Sequence, residues 1–99
     1  MVHAEFLDAA EIEAAEAIQW YEGEAGLGAD LRDQIEISID RIARSPNAFP
    51  VIYRSDIRRV LTHRFPYSII YRGKDDDTVL IIAVFHHSRH PIIWKGRID

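Results

Sequence analysis

Apolar and polar residues alternate in Val2-His3-Ala4-Glu5-Phe6, the period of a half-buried strand. The period then changes. Asp8 offers an N-cap, with Glu11 completing a variant of the capping box, and Ala9 to Glu22 is rich in alanine and glutamate, which favour helix. Ala10, Ala14, Ala17 and Tyr21, flanked by Ile18, recur at helical spacing, and their small side chains suit close approach of a second helix. Gly23, Gly26 and Gly28 interrupt the pattern and predict a tight turn over 23–28. A second helix is expected from Ala29 or Asp30 to Arg44, with Leu31, Ile35, Ile39 and Ile42 on one stripe. Asp30 and Asp33 in its first turn and Arg41 and Arg44 in its last suit the helix dipole, and Pro46 stops it.

Residues 47–56, which include Pro50, have few periodic positions and predict a loop or irregular edge. Three strand-like runs follow: Ile57 to Phe65, bounded by Pro66; Tyr67 to Arg72; and Thr78 to Phe85, which is apolar on both faces and therefore expected at the sheet centre. Gly73 to Asp77 is a polar turn of hairpin length. The tail, Ser88 to Asp99, reads as irregular or as a short edge strand. The resulting order, β-α-α-β-β-β, predicts an α+β fold: an N-terminal strand, a helical hairpin, then an antiparallel sheet. The hairpin covers one sheet face, which leaves the other free to bind. No linker divides the chain, so a single domain over 1–99 is expected.

Composition narrows the chemistry. The absence of cysteine excludes disulfides, thiolate zinc sites and cysteine nucleophiles. The acidic N-terminus has no basic-then-apolar leader, and the longest apolar run, Val79 to Phe85, is too short to cross a bilayer. A cytoplasmic protein with no membrane partner is expected. The net charge of −4 hides an asymmetry: residues 1–45 carry eleven acids against three arginines, and residues 46–99 carry nine bases against five acids. Seven of those nine bases are arginine, suited to bidentate contact with phosphate or carboxylate, and His63, His86, His87 and His90 fall in the same half. A basic face that grips an acidic partner or nucleic acid follows as an expectation.

Several chemistries are rejected on the residues. The glycines of 23–28 follow no strand, lack a Lys-Ser/Thr and are flanked by Glu22 and Glu24, so they are turn residues and not a phosphate loop. His86, His87 and His90 have no carboxylate near them in sequence, and strand alternation separates the adjacent pair, so no metal or cofactor is expected. Ser88 lacks a nucleophile-elbow context. Alternation puts Arg58 and Arg64 on one face of their strand and Arg59 and His63 on the other, provided no bulge intervenes. RNA cleavage is the reaction this inventory supports best: a histidine as base or acid, Arg58, Arg64 and Arg89 on the phosphate, and Tyr67 or Tyr71 to stack a base or give a proton. The plainer reading of both tyrosines is core packing with the hydroxyl at the core's edge.

The combination Arg64-Phe65-Pro66-Tyr67, Ile70-Tyr71-Arg72 and Phe85-His86-His87-Ser88-Arg89-His90-Pro91, with Trp94 and Arg97 after it, resembles the RelE/ParE superfamily of type II toxin–antitoxin toxins. Trp20-Tyr21, Gly26-Leu27-Gly28, Ser45-Pro46 and Phe49-Pro50 extend the resemblance over nearly the whole chain. It implies a growth-inhibiting toxin of a plasmid-stabilisation type, neutralised by a cognate antitoxin that wraps a partly disordered segment around it. RelE-like members cut messenger RNA in the ribosome, whereas ParE-like members poison DNA gyrase. The acidic net charge and lysine-poor strands depart from the RelE-like pattern, and the hairpin and the His86-His87-Ser88-Arg89-His90-Pro91 ending resemble ParE-like members more closely. A ribosome-dependent endoribonuclease and an inactive member that only binds are the alternatives. Arg58, Arg64, His87 and Arg89 are the positions the resemblance marks for catalysis or target binding.

Overall fold

The run Thr78–His86 is the strand on which both layers of the protein pack. In the structure, a computed structural model, residues 1–98 are described, and Asp99 of the tail read above lies outside the described residues. In chain order the elements are β1 (His3–Phe6), α1 (Asp8–Ala25), α2 (Gly28–Arg44), β2 (Val51–Tyr53), β3 (Ile57–Leu61), β4 (Tyr67–Asp75), β5 (Thr78–His86) and α3 (Ile92–Lys95). The sheet order is β1-β5-β4-β3-β2, an α+β arrangement with the helical hairpin on one face. β5, apolar on both sides, is an interior strand between β1 and β4, and β4 holds the centre where β5 was expected.

The sheet is mixed, not wholly antiparallel. β1 runs parallel to β5, from His3 opposite Thr78 to Phe6 opposite Ile81, because the helical hairpin carries the chain away before it returns. Of the loop or irregular edge expected over 47–56, the second forms: the three residues of β2 pair irregularly with β3 at the sheet edge just after Pro50. β3 ends at Leu61 and not at Phe65. There the chain turns through Arg64 at φ +71°, held by the buried Thr62 hydroxyl, which donates to the carbonyls of Phe65 and Tyr67, both at 3.0 Å.

The β4–β5 ladder pairs Ile70 with Ala83 but Tyr71 with Ile81, so Ile82 is an extra residue. This bulge turns Ile82 and Ala83 to the same side. Ile81 and Val84 join Leu31, Ile35 and Ile42 in the cluster beneath the helices, while Ile82, Ala83 and Phe85 join Ile57, Ile70 and Trp94 on the far face. That far face is therefore partly covered. α3 begins behind Pro91, where an irregular tail was expected, and it seats Trp94 (4% exposed) edge-on to Tyr53 at 5.6 Å.

α1 starts one residue before the expected point, with Leu7 and not Asp8 at its N-cap and no side-chain cap. It also runs through Gly23 and stops at Gly26, whose φ of +66° closes the helix with the Gly26 N–H on the Glu22 carbonyl and the Leu27 N–H on the Tyr21 carbonyl. The turn is thus shorter than 23–28. Gly28 already belongs to α2, pressed against α1: a Cβ there would stand 2.8 Å from the Glu22 Cβ and 2.9 Å from the Ile18 carbonyl oxygen. Gly28→Ala is accordingly expected to destabilise the protein by about 1–3 kcal/mol. Gly23→Ala, where nothing lies within 4 Å, is expected to stabilise it by about 0.5–1 kcal/mol. Urea denaturation midpoints read both, and equal signs would refute the close-approach account.

Candidate functional site

Beyond the bulge the parity of β5 is reversed, and this decides which histidine faces the open side of the sheet. His86 pairs with Tyr67 and lies on the helix side, its ring edge-on to Tyr67 at 5.1 Å. His87 falls on the far side, where its Nε2 stands 3.0 Å from the Ser68 hydroxyl, and its N–H donates to the Pro66 carbonyl at 2.9 Å. An unbulged strand would have exchanged the two.

On that far side lies a concavity of about 480 Å³. Its floor is the buried Ile70, Phe85 and Trp94, and Ile52 and the exposed Leu61 add apolar lining. Arg59, His87, Arg89 and Lys95 rim it, and Ser68 lies between. Arg89 follows β5 directly. Its N–H donates to the His86 carbonyl at 3.1 Å, its guanidinium lies 5.4 Å from the centre of the Phe85 ring, and Nη1 reaches to 3.4 Å from Glu13 of α1. The Lys95 ammonium stands over the rings of Tyr53, at 4.7 Å, and Trp94, at 5.8 Å.

Of the four positions marked in the sequence, the structure brings two together at this concavity, His87 and Arg89. The other two stand elsewhere. Arg58 pairs opposite Tyr71 on the helix side of β3, and its Nη1 donates to the carbonyls of Phe49 at 2.6 Å and Asn47 at 3.2 Å, pinning the loop that precedes β2. Arg64 does not share a strand face with Arg58, because β3 has ended; its guanidinium lies 4.0 Å from Asp30 at the start of α2 and over its neighbour Phe65. Arg59, Ser68, Lys95 and Trp94 were not marked. Alternation from Ile57 does put Arg59 opposite Arg58, but alternation alone says nothing about which face the helices will cover.

Tyr67 and Tyr71 are both buried on the helix side, away from the concavity. The Tyr71 hydroxyl donates to the Pro46 carbonyl at 2.7 Å. Burial lifts both phenols above their ordinary 10.0, with Tyr21 adding to the rise at Tyr67, and Arg89 and Arg58 opposing it at Tyr67 and Tyr71 respectively. The imidazole of His86 is used locally: Nδ1 accepts from the Ser88 N–H at 3.0 Å, with the Ser88 hydroxyl 2.7 Å away. His90 Nδ1 likewise accepts the Ile92 N–H at 3.1 Å. Among the described residues no three His, Asp or Glu side chains converge as a metal set, and no helix is long and apolar enough to cross a membrane.

The sequence matches the family profile described as ParE toxin of type II toxin–antitoxin system, parDE, over residues 4–91. The chain belongs to the ParE toxin family. Its fold is similar to that of the chromosomal ParDE toxin–antitoxin system of P. aeruginosa: TM-score 0.73 at 14% identity, over 87% of this chain and 96% of that one. It is also similar to the isolated E. coli RelE toxin: TM-score 0.68 at 19% identity, over 100% of each chain. No curated protein gives a significant match. Membership in a toxin–antitoxin family implies an antitoxin partner for this ParE-family chain.

Two outcomes follow from the partition of side chains between the faces. Arg58→Ala leaves two loop carbonyls without their donor and is expected to cost about 1–3 kcal/mol, with faster amide exchange in the segment after Pro46. Arg59→Ala, on the exposed rim, is expected to stay within about 0.5 kcal/mol of the parent in the same denaturation series. The raised phenol values also fix a sign. The folded protein holds these protons more tightly than the unfolded chain, so the contribution is whole below pH 10 and is lost as pH rises through the unfolded and then the folded value. The denaturant midpoint should therefore fall above about pH 10, and a midpoint that rose there would contradict the assignment.

Proposed function

We propose that the protein, acting as a single domain over 1–99, is the toxin of a type II module that arrests growth in the cytoplasm by binding DNA gyrase, and that its cognate antitoxin neutralises it by covering the open sheet face. The composition of that face carries the reading: an apolar floor with an aromatic centre, Phe85 and Trp94, inside a rim of Arg59, Arg89 and Lys95. Protein-binding surfaces are built this way, with desolvated aromatic and arginine positions at the centre and polar groups around them. The same cations suit an acidic, partly disordered antitoxin segment, whose ordering is driven by burial on the apolar floor. A toxin–antitoxin hetero-oligomer is the form in which the neutralised protein is held.

A second reading, RNA cleavage of the RelE type, is favoured by one observation: His87 and two arginines, Arg59 and Arg89, line a single concavity. It lacks the tyrosines proposed for stacking or proton transfer, which are buried on the other face. The third reading is a member without activity that only binds.

Purified protein added to gyrase and relaxed plasmid is expected to block supercoiling and trap cleaved DNA, while transcripts on translating ribosomes stay intact. Arg89→Ala is expected to weaken the gyrase effect by at least about tenfold with the fold unchanged by circular dichroism. Codon-linked cuts in ribosome-bound transcripts, with supercoiling unaffected, would replace the gyrase reading by the nuclease one. Neither effect, with no growth arrest on expression, would leave a binding protein.

A further inference from the structure

β1 pairs with β5 only as far as Ile81, so the outer edge of β5 beyond that point has no strand beside it. A side chain from α1 closes this gap. The Glu13 carboxylate, 10% exposed, accepts the Val84 N–H on Oε1 at 3.2 Å and both terminal nitrogens of Arg97 at 2.8 Å each. Arg97 in turn donates to the Ile82 carbonyl at 3.0 Å, so the pair satisfies two backbone groups of the bulged edge. Hydrogen bonding to Glu13 holds the Arg97 guanidinium more firmly protonated than usual. Arg97 already occupies both carboxylate oxygens. Arg89 nevertheless reaches the same group, its Nη1 3.4 Å from Oε2, and remains half exposed over Phe85 at the rim of the open face.

We propose that Glu13 is the positioning residue of the open-face site: from the helix layer it reaches round the free edge of β5 and sets where the Arg89 guanidinium stands. This rests on the reading of that face as the target-binding surface. Arg97 and Arg89 compete for one carboxylate, Arg97 with the closer and bidentate hold. Arg89 is therefore directed by the charge without being consumed by it, and keeps its donors for a partner.

The competition gives the test its direction. Glu13→Gln keeps one acceptor for Arg97 and Val84 but removes the charge, and should free Arg89. Arg97→Gln leaves Glu13 with Arg89 as its cation, and should draw Arg89 closer. The readout is solvent exchange of the Arg89 guanidinium Nη–H groups by NMR, with the parent spectrum retained elsewhere. Exchange about tenfold faster in E13Q and slower than the parent in R97Q is expected, together with an about tenfold loss of growth-arrest potency in E13Q. A role confined to fastening the C-terminal segment would move Arg89 in the same direction in both variants, or in neither, and that result overturns the positioning. Full arrest by Arg89→Ala would instead overturn the reading of the face, and with it the purpose assigned to Glu13, whatever the spectra show.

Discussion

The extra residue that β5 carries at Ile82 turns two consecutive side chains to one face, and one strand thereby closes two hydrophobic clusters. Before it, Val79 and Ile81 point to the helices; after it, Val84 and His86 do, and Phe85 and His87 point away. Side-chain period in a strand is two, so a single inserted residue exchanges every later position between the faces. The identity of the open-face histidine, the seating of Trp94 on Phe85's side and the approach of Glu13 to the Val84 N–H all depend on that shift. The bulge also disturbs the outer edge just where β1 ends, and the edge groups it leaves, the Ile82 carbonyl and the Val84 N–H, are those that Arg97 and Glu13 satisfy.

The arginines of the second half divide by the same geometry. Arg58 and Arg72 serve the fold, the first through the carbonyls of Asn47 and Phe49, the second through Asp56 at 2.8 Å. Arg97 is held by Glu13, and Arg64 lies beside Asp30. Arg54 lies over the Tyr53 ring at 5.2 Å, and Arg59 and Arg89 line the open face, Arg89 with one nitrogen 3.4 Å from Glu13. Much of the positive charge of residues 46–99 is thus paired within the molecule, and the open face is a rim of few cations on an apolar floor, not a basic sheet.

The helical hairpin was legible because two long segments each carry many periodic positions, and its errors are at the helix ends, where Leu7 replaces Asp8 as the cap, Gly23 stays helical and α2 begins already at Gly28. The three later strands were legible from β-branched and aromatic runs. The parallel pairing of β1 and the short α3 were not, since each is stabilised by what it packs on and too brief to show a period. His87 and Arg89, which line the concavity, were marked through a motif just past the last strand, whereas Arg59, which also lines it, was not, and Arg58, on the other face, was. Alternation separates those two neighbours but does not label the faces; only the docking of the helices does, through Val60 and Tyr71 on Arg58's side.

The floor of the concavity is also core. Ile70, Phe85 and Trp94 are buried residues that close the second cluster, so they cannot change without loss of stability. The cations stand on its margin, Arg59 on β3, Arg89 in the connector after β5 and Lys95 on α3, and none of them is buried. A buried apolar platform with unburied charges at its edge separates the residues that hold the protein together from those left free to vary. Two toxins whose names differ, ParE and RelE, share this fold with the chain at under a fifth identity. On such a platform the charges at the rim can change without rebuilding the core beneath them.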